Sequence, residues 1–89
     1  MNASIWKYPL TSKITHTMPV GAKILAVQLQ AGSPMMWAMV DPDAPRENRM
    51  FVAQPTGGYF DPEDLEYIGT FQTEELVFHV FEKKELEEI

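Results

Sequence analysis

The sequence predicts an all-β fold, or a β-rich α+β one, with about seven short antiparallel strands in a small sandwich or barrel. Three observations support this. Short runs that alternate apolar and polar side chains recur along the chain, parted by proline- or glycine-containing breakers at intervals of about ten residues. Between Ile24 and Asp41, two apolar-rich runs flank an Ala31-Gly-Ser-Pro34 breaker, the pattern of a β-hairpin built around a largely buried strand pair. Helical signals are confined to the segment starting at Asp61 and to the charged end of the chain. A ferredoxin-like α+β arrangement would need two full helices from those segments, and both are poor candidates.

Ile5-Trp-Lys-Tyr8 alternates and stops at Pro9, so it is the first strand, with Trp6 and Tyr8 on one face and Ile5 and Lys7 on the other. Ser12 to Met18 sets Ile14, His16 and Met18 against Lys13, Thr15 and Thr17, a strand with one solvated face that ends at Pro19-Val-Gly21. The third strand runs from Ala22 or Lys23 to Gln30. Leu25, Val27 and Leu29 face one way, and Ile24, Ala26, Gln28 and Gln30 the other. Met35 to Val40 is apolar on both faces and is expected to be central or covered on both sides. Asp41 to Asn48, polar and with two prolines, is a loop, and the fifth strand spans about Arg49 to Gln54.

Pro55-Thr-Gly-Gly58 is the strongest breaker in the chain. Asp61-Pro-Glu-Asp64 reads as the start of a helix of one or two turns, with Asp61 as the cap, proline first and acids in the first turn. The sixth strand is about Glu66 to Thr73, and the seventh is Leu76 to Phe81, apolar apart from His79. One β-rich domain thus covers residues 1–83, and residues 84–89 form a charged tail that the fold does not need.

The chain has 89 residues, enough for one domain whose core is small for its surface. With 45% hydrophobic residues it is too apolar for a disordered chain. There is no cysteine, which excludes disulfides and thiolate metal sites and suits a reducing compartment. No apolar run is long enough to span a membrane, and no signal pattern opens the sequence, so a soluble cytoplasmic protein is expected, with no membrane partner. The net charge of −6 weighs against binding duplex nucleic acid. The acid is concentrated from Asp61 onward, opposed there only by Lys83 and Lys84, while the part before it is close to balanced and can hold a small basic pocket.

Ile5-Trp-Lys-Tyr-Pro-Leu10, Pro19-Val-Gly-Ala-Lys-Ile-Leu25, Trp37-Ala-Met-Val-Asp41, Thr56-Gly-Gly58, Leu65-Glu-Tyr-Ile-Gly-Thr-Phe-Gln72 and Leu76-Val-Phe-His-Val-Phe81 together span nearly the whole chain. In this combination the sequence resembles a family of short uncharacterised proteins encoded by tailed phages and by prophages in bacterial genomes. The family has no established activity to carry over. The resemblance implies context: small phage accessory proteins often inhibit or sequester parts of the host machinery. That family often shows Thr-Gly-His where this chain has Thr56-Gly57-Gly58, so no histidine works at that turn here.

No catalytic or metal motif stands out. Counted as a calcium loop from Asp41, the sixth and twelfth places hold Arg46 and Val52 in place of glycine and an acid. His16 and His79 lie among apolar neighbours on strands, as half-buried hydrogen-bonded histidines do, and no serine sits in a nucleophile elbow. A non-enzymatic protein without cofactor is therefore expected.

The best candidate site is the Thr56-Gly57-Gly58-Tyr59-Phe60 loop with Arg46 and Arg49. Glycine N–H groups and arginines suit an anion, and the aromatic rings suit a base. The favoured function is a phage-type binding module that sequesters a small anionic, nucleotide-like defence signal. The alternative is a protein–protein inhibitor that sets its acidic surface against a host protein, or a structural or assembly factor. Strands three and four are apolar on both faces in a chain too small to cover both. Met35, Trp37 and Met39 are therefore expected at a homo-oligomer interface.

Overall fold

The computed structural model describes residues 2–84 and contains seven strands in two sheets. They are β1 (Ser4–Pro9), β2 (Lys13–Pro19), β3 (Lys23–Gln30), β4 (Ser33–Val40), β5 (Arg46–Pro55), β6 (Leu65–Gln72) and β7 (Val77–Lys83). One sheet has the order β1-β4-β3 and the other β2-β5-β7-β6, with every pair antiparallel. The inner faces of the two sheets enclose the core, in which Met18, Met36, Ala38, Phe51 and Val80 have no exposed surface. The expected small β-sandwich is the fold found.

The outcome differs from expectation in four places. The β3–β4 hairpin turns on two residues, not four. Ala31 (φ 50°) and Gly32 (φ 83°) are both left-handed, the type I′ geometry that matches strand twist, and Gln30 pairs directly with Ser33. Ser33 and Pro34 therefore lie within β4.

In β3 the register shifts between Ile24 and Ala26, so the alternation breaks at Leu25. Val27 stays buried, but Leu25, expected on its face, is 47% exposed. The fifth strand extends back to Arg46 because its polar start pairs with β2, where the Thr17 hydroxyl donates to Asn48 Oδ1 at 2.7 Å.

The fourth difference is that no helix forms at Asp61. Its carboxylate accepts from the Glu63 N–H at 3.0 Å, Leu65 N–H bonds Pro62 O at 3.1 Å, and Asp64 turns left-handed at φ 65°. Asp followed by Pro opens a β-turn as readily as a helix, and the pairing of β6 with β7 decides between them. The charged tail expected over 84–89 lies, from residue 85, outside the described residues. No helix among the described residues is long and apolar enough to cross a membrane.

Candidate ligand-binding face

β7 alternates across its sheet. Phe78 packs against the core and Val80 lies within it, so His79, Phe81 and Lys83 share the outer face of the four-stranded sheet. The register sets this face out in rows. Phe81 stands between Val52 of β5 and Tyr67 of β6, with Lys13 of β2 beyond Val52, and His79 stands between Gln54 and Thr70.

The segment joining β5 to β6 begins with a tight turn in which Gly58 N–H bonds Pro55 O at 3.2 Å. Gly57, at φ 92°, takes the third place, where a type II turn needs a left-handed residue. Thr56 is tied to β7 through its N–H, which bonds Val77 O at 3.0 Å. Farther along, Phe60 folds back so that its ring lies 5.3 Å from that of Phe81, while Tyr67 meets Phe81 edge-on at 5.8 Å. Phe60 and Tyr67 are 41% and 56% exposed, and Tyr59 is fully exposed.

Beside these rings runs a chain of four polar side chains. The Thr56 hydroxyl donates to Val77 O at 3.2 Å, so it accepts from His79 Nε2–H at 2.7 Å. His79 Nδ1 then accepts from the Thr70 hydroxyl at 3.2 Å, and Thr70 Oγ1 accepts from the Tyr67 hydroxyl at 2.5 Å. For the neutral imidazole, this leaves both ring nitrogens of His79 occupied. With every donor pointing the same way, the bonds polarise one another.

Arg46 and Arg49 are not part of this face. Both precede the glycine turn on β5. At about 3.3 Å per residue, Arg46 lies roughly 30 Å from Pro55 and Arg49 roughly 20 Å. Arg49 faces the core side, where Nε and Nη2 donate to the two Glu82 carboxylate oxygens at 2.6 and 2.9 Å and Nη1 donates to Ala22 O at 2.6 Å. The two side chains are only 16% and 14% exposed. Hydrogen bonding to Glu82 holds the Arg49 guanidinium above its ordinary value, against the opposing effect of burial; attraction to Glu82, Glu47 and Glu66 adds to the rise. Arg46 stacks over Trp6 at 5.5 Å and donates to Ala44 O at 2.7 Å and Pro42 O at 3.1 Å, which braces the β4–β5 loop.

Of the residues expected at the site, the structure thus gathers Thr56 and Phe60 onto one face, with Gly57 and Gly58 as the turn between them. Tyr59 stands free in solvent. His79, Thr70, Tyr67 and Phe81 were not anticipated as site residues. The alternation of β7 already put His79 and Phe81 on one side, but nothing local announces that Thr56, 23 positions earlier, bonds to His79. His16 is held by Pro9 O at 2.7 Å through Nε2. Among the described residues no cluster of three or more histidine, aspartate or glutamate side chains has the arrangement of a metal site.

Over residues 1–89 the chain matches the family described as Domain of unknown function (DUF7352). The chain belongs to this family. No curated protein and no solved structure matches it.

Proposed function

We propose that the protein is a non-enzymatic accessory binding protein of phage type. It would hold a small, flat, anionic ligand of the nucleotide kind on the outer face of its four-stranded sheet. The observation that carries this is the group of Phe60, Tyr67 and Phe81, three rings gathered on an open sheet face beside a polar chain. Exposed rings on a sheet suit stacking on a base, which is worth about 1–3 kcal/mol per ring. The Thr56, Thr70 and Tyr67 hydroxyls suit the polar edge of such a ligand. Lys83 shares the outer face of β7 with Phe81, and Lys13 stands in the same row as Phe81, so two cations flank the rings. This moves the anion-binding role to the lysines, because Arg49 is engaged by Glu82 and Ala22 O and Arg46 lies at the far end of β5.

Among the described residues His79 hydrogen-bonds only to hydroxyls, which favours capture over turnover. Capture of a host defence signal fits the phage context that the sequence resemblance suggests. The test is a thermal-shift screen of nucleotides followed by calorimetry. At 100 times its dissociation constant a ligand raises stability by about 2.7 kcal/mol. Phe81→Ala should weaken binding by about 1–3 kcal/mol, and Arg46→Ala should not change it. Nucleotide binding untouched by Phe81→Ala, or none at all, overturns the proposal and favours the acidic-surface inhibitor.

A further inference from the structure

At the end of the sandwich where β1 turns into β2, the two sheets do not close. A half-open cavity of about 250 Å³ enters between them there. One wall is the pair Phe71 and Phe78, stacked with ring centroids 5.2 Å apart and planes at 19°. Leu10 and Pro34 also line it, and Ala53 contributes the smallest apolar side chain of the lining. The wall is almost wholly carbon. Three hydroxyls lie at the cavity. That of Thr11 is turned to Lys13 O at 3.0 Å and that of Thr73 to Leu76 O at 3.2 Å. The Ser12 hydroxyl has no protein partner among the described residues.

We propose that this cavity binds one neutral aromatic molecule of the indole or phenol class, with Ser12 at the mouth meeting its single polar group. Volume sets the size: an apolar protein cavity of about 150 Å³ already takes benzene, whereas drug-sized ligands need about 300 Å³ or more. The lining sets the charge. No acidic or basic side chain lines the cavity, so an ionised ligand would lose its hydration with nothing to replace it. The stacked phenylalanines favour a ring over an alkyl chain, because a third ring can add face-on or edge-on contact. Ser12 is exposed, so its hydroxyl can exchange a water for the N–H or O–H of such a ring, a contact that benzene does not offer.

The site is separate from the outer face that carries Phe81, and the experiment keeps them apart. Indole is titrated into the full chain and followed by NMR at the Ala53 methyl and the Phe71 and Phe78 rings, with melting temperature read in parallel. Saturable shifts at those three residues are expected, together with a rise in melting temperature. Ala53→Leu fills the cavity and should weaken indole binding roughly tenfold or more, the scale for excluding a ligand from an apolar pocket. Should Ala53→Leu not fold, Ala53→Val gives a smaller loss of the same sign. Ser12→Ala should weaken indole but leave toluene unchanged, and Phe81→Ala should leave indole binding intact. Absence of saturable shifts, indole binding unaffected by filling the cavity, or loss of binding in Phe81→Ala with the cavity intact overturns the proposal.

Discussion

Tyr8 is 8% exposed, and its hydroxyl is buried with no hydrogen-bond partner among the described residues. Burial raises its pKa above the ordinary 10.0, and the positive fields of Arg46 and Arg49 offset part of that rise. The folded chain thus keeps the phenol proton at a pH where the unfolded chain releases it. The stability linked to this proton is complete below about pH 10 and is lost as pH rises through the raised value. Tyr8→Phe removes a donor that bonds nothing, so the variant should be equally stable or up to about 1 kcal/mol more stable at neutral pH. Denaturant titrations of both proteins from pH 8 to 11 should show the variant losing less stability at the alkaline end. An equal loss in both would assign it to other groups.

Arg49 behaves in the opposite way. Alanine there strands the largely buried Glu82 carboxylate, at a cost of about 2–4 kcal/mol measurable by urea unfolding. Because the guanidinium is held above its ordinary range, its own titration adds no pH dependence below that range. The sequence showed a cation at 49 on a strand beside a polar loop. It did not show that Glu82, 33 positions away, faces it across the core side of the sheet.

Among the elements, two of the four edge strands, β3 and β6, decide how the sandwich closes. Each carries a register shift, one between Ile24 and Ala26 and one between Tyr67 and Gly69. Such irregularities bend a strand and increase its twist. They bring β6 so close to β3 that a Cβ on Gly69 would sit 2.9 Å from Val27 Cγ2. Gly69→Ala should therefore cost about 1–3 kcal/mol by overpacking, and Val27→Ala in the same chain should recover part of that loss. Chemical denaturation of the two single variants and the double variant measures the coupling. Additive losses would mean that the approach of β3 to β6 is not what fixes glycine at 69. The same bulges explain why alternation misled at Leu25: period-two reasoning holds only while the ladder is regular.

For the whole molecule, the outer face of the three-stranded sheet is an exposed apolar patch. Ile5, Leu25 and Met39 are 60%, 47% and 41% exposed, and Met35 and Trp37 lie half-buried among them. Self-association through Met35, Trp37 and Met39 is expected, because an apolar patch of this kind on a small domain gains by being covered. Analytical ultracentrifugation at about 100 μM should show association that Met39→Glu weakens, since micromolar dimers rest on about 8 kcal/mol of net contact energy. A strict monomer would show that this face stays open.

The sequence alone determined the strand count, most strand boundaries and the inward set of β2, because alternation and breakers are local and each strand side has one of two environments. Only the tertiary structure decided that Asp61-Pro62 makes a turn and not a helix, that Arg49 spends its donors on Glu82, and that Thr56 and Phe60 meet His79 and Phe81. Those outcomes depend on which strands become neighbours. Strand order in a sheet follows from long-range packing that no window of a few residues contains.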